Sequence, residues 1–128
     1  MIEIFGKVNL KGYKKRLKAF LESVLKKEKK FKFRKIYIIL TNNRVMKDLN
    51  KKFLFKNKTT DVLSFELGNI AEVYVNVDYA KKLGDFSFYT AFYSLHGVLH
   101  LLGYDHKLKL KEEEMHKKQE LYIKLWKY

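Results

Sequence analysis

The sequence predicts an α+β fold in which helices pack on a four-stranded sheet that is mixed or largely antiparallel. Two observations carry this prediction. Short β-branched runs alternate with longer stretches of helical periodicity, in the order β-α-β-α-β-β-α-α-α. The 128 residues also include no proline, no repeat and no Gly/Ser-rich linker, which favours a single domain over residues 1–128.

The first strand and the first helix follow from simple patterns. Ile2 and Ile4, with Val8 beyond them, alternate with polar residues as in a strand. Gly12 precedes an apolar stripe at helical spacing, formed by Tyr13, Leu17, Phe20, Leu21, Val24 and Leu25. The charged run 26–30 is expected to end this helix.

A second strand and a second helix come next. The β-branched and aromatic run 36–40 predicts a buried strand. Thr41 or Asn42 can cap a short helix, since both side chains accept hydrogen bonds from free backbone amides. Its inward face is predicted to comprise Val45, Met46, Leu49 and Phe53. The polar residues 56–60 then predict a loop.

The middle of the chain has the pattern of a hairpin. Residues 61–67 and 71–77 are predicted as strands, and the Gly68-Asn69 pair between them favours a tight antiparallel turn. Asp78 is expected to cap a short helix that ends near Leu83.

Two helices complete the predicted fold. Residues 86–102 are apolar and aromatic on nearly every side, which predicts a helix buried almost all round. Gly103 is well placed to end it in a left-handed conformation. The last helix is predicted over 110–127, with acidic residues in its first turn and lysines near its end, as the helix dipole favours.

The charge of the chain is concentrated in its first half. Residues 1–60 contain 19 Lys or Arg and 4 Asp or Glu, a net +15, whereas residues 61–128 contain 9 and 10, a net −1. Such an excess favours a polyanionic partner, above all nucleic acid. Of the 28 basic residues 25 are Lys, which indicates diffuse phosphate attraction; a solvated lysine-rich surface is the alternative.

Composition also excludes several classes of protein. The chain has no cysteine, which rules out disulfide-linked partners, zinc-thiolate sites and thiol nucleophiles. No apolar run approaches the roughly 20 residues that span a bilayer, and the first ten residues lack the apolar core of a signal peptide. We therefore expect a cytoplasmic protein with no membrane partner.

The strongest functional pattern is SLHGVLHLLGYDH at residues 94–106. His96 and His100 are four residues apart, so a helix places both imidazoles on one face, where they can chelate one ion. A continued helix would turn His106 about 240° away from that face, but Gly103 can break the helix and bring His106 round as a third ligand. Three histidines with one open position are typical of a catalytic zinc site.

The alternative for a single histidine on an apolar helix is a core residue. Three of the four histidines within eleven residues, with a glycine at the needed turn, favour metal binding instead. The fourth, His116, lies among charged residues and is expected to be solvated.

The spacing His-x3-His-x2-Gly-x2-His matches the metzincin protease pattern, with one difference. Those proteases have a glutamate general base directly after the first histidine, and this chain has Gly97 there. Glycine has no proton acceptor, so the usual peptide hydrolysis lacks its base. A metalloprotease is therefore the weaker alternative.

Residues 96–106, HGVLHLLGYDH, resemble the signature of the YbeY-type bacterial endoribonucleases, which are zinc-dependent rRNA maturation factors. TDVLSF at 60–65 is similar to a strand of that family, and Leu49-Asn50 also fits. The resemblance spans roughly residues 30–125. It implies a zincin-like, metal-dependent hydrolase architecture, one Zn²⁺ held by His96, His100 and His106, and single-strand-specific RNA cleavage in small-subunit rRNA 3′-end maturation and ribosome quality control.

Some positions depart from the family pattern. Leu54-Phe55 stands where the family usually has an Arg-Gly pair, whose arginine is thought to contact RNA or phosphate. Lys56 offers a point charge in its place. Asp105 is a candidate to orient a ligand histidine or to cap a turn. Ser64 is a candidate to line the cleft beside the metal, its alternative being an ordinary strand residue.

Two functions of different classes therefore stay open at the sequence level. The first is metal-assisted hydrolysis of an RNA phosphodiester bond, with RNA and the ribosome or its small subunit as partners. The second is a non-enzymatic RNA- or ribosome-binding factor with a structural zinc.

Overall fold

The computed structural model describes residues 1–29, 31–104 and 109–126. It contains these elements, in chain order: β1 Ile2–Phe5, α1 Tyr13–Glu28, β2 Lys35–Thr41, α2 Asn43–Leu54, β3 Val62–Leu67, β4 Ile70–Asn76, α3 Val77–Lys82, α4 Phe86–Leu101 and α5 Lys109–Ile123. The predicted order of elements is confirmed. None of the helices in these ranges is both long and apolar enough to cross a bilayer.

The four strands form one sheet in the order β1-β2-β4-β3. β1 pairs with β2 and β2 with β4 in parallel, whereas β3 pairs with β4 antiparallel as the predicted hairpin. The sheet is thus mixed, which confirms the prediction and decides between its two alternatives. Helices α1 and α2 provide the long connections that parallel neighbours require.

The core lies between one face of the sheet and α1, α4 and α5. β2 alternates regularly, with Ile36, Ile38 and Leu40 buried toward the helices. α4 contributes Leu95 and Leu99, both fully buried. The opposite side of α4 is only half-buried, and His100 is exposed, so α4 is less enclosed than predicted. This position puts α4 across the antiparallel edge of the sheet, where the predicted site lies.

Most helix ends match the sequence. Of the two candidate caps of α2, Asn42 is the one used, because its Oδ1 accepts from the Val45 amide at 3.0 Å. α4 begins after Asp85, whose carboxylate accepts from the Phe88 amide. Gly103 follows α4 with φ of 102°, a conformation that suits glycine.

Several boundaries and faces differ from the prediction. α3 is capped by Asn76 rather than by Asp78, since the Asn76 side chain accepts from the Asp78 amide. In α2, Val45 and Phe53 are exposed, and the buried residues are Met46 and Asn50. The buried face of α2 therefore differs from the predicted one, and it includes Asn50, whose side chain bonds to the following loop.

The outer strand and the last helix are shorter than expected. β1 ends at Phe5 and does not reach Val8, because Gly6 turns the chain away against the backbone of Leu40. α5 ends at Ile123 rather than near residue 127.

Candidate active site

His96 and His100 lie one turn apart on α4 and face a cleft of about 390 Å³ between α2, β3 and α4. His96 is half-buried and His100 is exposed. The cleft is lined by Leu54, Asp61, Val62, Leu63, Ser64, His96 and His100. The helical spacing thus presents two imidazoles to one open space, as a shared ligand requires.

A second, larger cleft of about 810 Å³ continues from the first. The two share Ser64 and His100, and the second extends past Phe31, Lys32 and Phe65. The concave surface therefore runs along β3 past the histidines, which suits an extended chain better than a compact small molecule.

Gly97 explains how closely α4 approaches the sheet. A Cβ at this position would overlap Val73 Cγ1, and it would lie 3.2 Å from both Ser64 Oγ and Val62 Cγ2. Any side chain here would push α4 off β3 and β4. The structure thus excludes the glutamate that a metzincin places at this point, for reasons of packing as well as chemistry.

Ser64 lies beneath α4 and also lines both clefts. Its Oγ donates a hydrogen bond to the Gly97 carbonyl at 3.2 Å. Because Gly97 follows His96 directly, this bond ties β3 to the turn that carries the histidines. Ser64 therefore lines the cleft and also makes a structural hydrogen bond.

A buried asparagine network holds the rim of the cleft. The Asn76 amide nitrogen donates to Asn43 Oδ1 at 2.8 Å, to the Thr60 carbonyl at 2.9 Å and to Thr59 Oγ1 at 3.1 Å. The Asn76 backbone amide donates to the Asp61 carbonyl at 2.8 Å. One side chain thus joins the start of α2, the loop before β3 and the end of β4.

The loop between α2 and β3 has a second anchor in α2. The Asn50 side chain, 2% exposed, donates to the Lys58 carbonyl at 2.8 Å, and the Asn50 backbone carbonyl accepts from the Lys56 amide. Sequence reasoning missed both buried asparagines as positioning residues. The available signal was an amide side chain at an inward-facing position, where a buried polar group needs partners.

Glu28 forms a third cluster, behind the histidine helix. Its carboxylate accepts from Tyr104 Oη at 2.6 Å and from Tyr122 Oη, and it pairs with Lys118 Nζ at 3.1 Å. Burial raises the pKa of Glu28, but the hydrogen bonds from Tyr104, Tyr122 and Lys118 outweigh burial, and the pKa lies below its usual 4.5. Burial, and then the bond to this carboxylate, raise the pKa of Tyr104 to about 12.

The other predicted site residues have different outcomes. Lys56 is exposed and is not among the residues that line the cleft. Asp105 and His106 lie outside the described residues. Within the described ranges, no three His, Asp or Glu side chains gather as a metal group. The predicted catalytic and metal-binding roles stay predictions.

Fold and site together define a class of α+β protein. In this class a helix packed on a mixed sheet carries a pair of histidines, and the histidines face a cleft at the antiparallel edge of the sheet. A family model described as "Endoribonuclease YbeY" matches residues 3–127. The chain belongs to the YbeY endoribonuclease family, as the sequence motifs predicted.

Individual relatives agree. An endoribonuclease YbeY of Pelagibacter ubique is 41% identical over 130 residues, covering 86% of this chain and 84% of the relative. One from Nautilia profundicola is 39% identical over 101 residues, covering 67% and 73%. The solution structure of a Thermotoga maritima protein superposes with a TM-score of 0.68 at 31% identity, over 97% of this chain and 87% of that one.

Leu54, which stands where the resemblance implies an arginine, lies in the wall of the histidine cleft. The departure therefore falls inside the candidate site and not at a remote surface. Leu54 ends α2, and Phe55 follows it in a left-handed conformation with φ of 56°.

Proposed function

We propose that this chain is a metal-dependent endoribonuclease that cleaves single-stranded RNA during rRNA maturation, including the 3′ end of small-subunit rRNA, and in ribosome quality control. The observation that carries the proposal is the histidine pair of α4 facing a cleft in a chain that matches the endoribonuclease YbeY model over residues 3–127. The ribosome or its small subunit would be the partner and the cytoplasm the compartment. The net charge of +14 suits a polyanionic substrate.

We further propose that His96, His100 and His106 hold one Zn²⁺. The donor set fits, because two imidazoles one turn apart border an open cleft and the chain has no cysteine to compete. When bound, such an ion lowers the pKa of a water and polarises a phosphoryl oxygen. The chain has to supply orientation, substrate contacts and charge compensation.

The surrounding residues have proposed roles of this kind. Ser64 holds the turn of His96 and Gly97 against β3 through its 3.2 Å hydrogen bond, which keeps the imidazole oriented toward the cleft. Lys56 would offset negative charge that develops on the phosphate, reaching in from the loop after α2. Asp105 would orient a ligand histidine from outside the ligand set.

The structure weighs against the other two functions. A metzincin-type protease would need a general base at position 97, where Val73 leaves no space for a side chain. A purely binding factor is not favoured by a family whose matched members are described as endoribonucleases.

The test is a cleavage assay on a single-stranded RNA oligonucleotide, with the same sequence in a duplex as substrate control. His100→Ala is the test variant, and His116→Ala is its matched control because His116 is exposed on α5. We expect cleavage of the single strand only, lost in His100→Ala and kept in His116→Ala. Zinc content, measured by atomic absorption, should fall in His100→Ala alone. Equal cleavage by both variants would refute the proposal.

A further inference from the structure

Phe55 is in an unfavourable position for a purely structural residue. Its φ of 56° is in the left-handed region, which bulky side chains rarely adopt, and its side chain is 90% exposed. Glycine, by contrast, accepts this conformation readily. Neither backbone geometry nor burial therefore accounts for a phenylalanine at this position.

Phe55 also belongs to an exposed apolar triplet. Phe53 is 50% exposed and Leu54 is 45% exposed. A run of three exposed apolar residues is costly for solubility unless it contacts a ligand. Leu54 lines the histidine cleft, and Phe55 is the next residue along the chain.

The chemistry around Phe55 identifies the ligand. We define the basic segment as residues 43–58, with six Lys or Arg against one Asp, a net charge of +5. Lys51, Lys52, Lys56 and Lys58 flank the triplet and are exposed. Cations that alternate with exposed aromatic rings are typical of surfaces that bind single-stranded nucleic acid, where lysines face phosphates and rings stack on bases.

We propose that Phe55 is a base-stacking residue, on which one unpaired nucleobase of a single-stranded RNA packs while the flanking lysines face its phosphates. This inference rests on the proposed function and names a subsite of it. The stacked base would hold the strand while the next phosphates pass Leu54 toward the histidines.

The test uses three variants at position 55 to separate the effects of the aromatic ring, of apolar bulk and of the left-handed backbone. Phe55→Tyr keeps a stacking ring; Phe55→Leu keeps apolar bulk and the unfavourable backbone; Phe55→Gly removes both. Phe5→Leu is the control, because Phe5 is 51% exposed on β1, at the opposite edge of the sheet. The probe is a fluorescein-labelled single-stranded RNA 12-mer, read by anisotropy at several salt concentrations, beside thermal unfolding of each variant.

We expect binding to weaken about five- to a hundredfold in Phe55→Leu and Phe55→Gly, the range measured for loss of one stacked base, and to hold in Phe55→Tyr and Phe5→Leu. The salt dependence should not change, since every lysine that faces a phosphate is kept. Phe55→Gly should unfold at the same or a higher temperature, because glycine relieves the left-handed backbone.

Two outcomes would overturn the inference, and they differ. If the wild type binds RNA and Phe55→Gly binds equally well, the subsite is wrong while the proposed function stands. If Phe55→Leu binds RNA as well as Phe55→Tyr does, apolar bulk at this position is sufficient for binding. An aromatic ring is then not needed, and the stacking role is wrong. A wild type that neither binds nor cleaves RNA would refute the proposed function itself.

Discussion

Two regions of this molecule differ in almost every physical property. The histidine segment, residues 86–104, contains no Asp, Glu, Lys or Arg, and much of it is packed against the sheet. The basic segment, residues 43–58, has a net charge of +5 and only two buried residues, Met46 and Asn50. The difference teaches that side chains that need a fixed orientation, such as the two imidazoles, lie on a packed helix. A long polyanion is held instead by exposed, charged side chains.

The two regions meet at the antiparallel edge of the sheet. β3 contacts α4 through Ser64, and the loop before β3 is anchored to α2 and β4 by Asn76. The relative position of the two segments therefore depends on these contacts. We expect the effect of a substitution to decrease from the packed segment, through this connection, to the support behind it.

The largest expected effect comes from Gly97→Glu, which places a side chain where Val73, Ser64 and Val62 leave no space. Overpacking costs about 1–3 kcal/mol, and burying a carboxylate against valines adds more, so we expect a loss above about 3 kcal/mol in urea unfolding. Gly97→Ala should lose less, and adding Val73→Ala should recover part of that loss. A stable Gly97→Glu protein with proteolytic activity would contradict the packing argument.

The next effect concerns the connection between the segments. Asn76→Ala leaves the side chains and carbonyl that Asn76 bonds without their donor, which should cost about 2 kcal/mol in unfolding free energy. Cleavage should fall further than unfolding at the assay temperature explains, since Asn43 at the start of α2 and the Thr59-Thr60 loop before β3 lose the side chain that joins them. Asn57→Ala, at an exposed loop position, should change neither quantity.

The smallest effect is a pH dependence centred on Glu28. The pKa of this carboxyl is lower in the folded protein than its usual 4.5, so its stabilisation is present above pH 4.5 and is lost as the pH falls through the folded pKa. Glu28→Gln should unfold more easily at pH 7 and lose less stability between pH 5 and pH 3. If the free energies of unfolding of wild type and Glu28→Gln change in parallel with pH, the cluster contributes nothing to the pH dependence of stability.

Much of the fold could be predicted from periodicity. α1, α4 and the β3-β4 hairpin follow from apolar spacing and a Gly-Asn turn, because these signals are local. The parallel pairing of β2 with its neighbours could not be predicted, because strand direction depends on how the long connections pack. The inward position predicted for Phe53 was wrong for a related reason, since an apolar face on a helix does not say whether another element covers it.

The site divides in the same way. The helical spacing of His96 and His100 predicted their shared cleft, because one turn of helix determines where both side chains lie. Glu28 and Asn76 were missed since their partners are distant in sequence, up to 94 residues apart for Glu28 and Tyr122. Phe55 could not be identified from the sequence. Only the structure, through its φ of 56° and its exposure, distinguishes it from an ordinary core aromatic residue.

The central claim is that the histidines and most of the cations that hold RNA belong to separate segments, and one crossed measurement tests it most directly. Single-turnover cleavage rates at saturating RNA and dissociation constants are compared in His100→Ala and in the double variant Lys51→Gln/Lys52→Gln. We predict that His100→Ala loses the rate and keeps the affinity. The double variant should keep the saturated rate while the slope of its salt dependence falls by about 0.7 for each lysine–phosphate pair that it removes. Equal loss of rate and affinity in both variants would contradict the account.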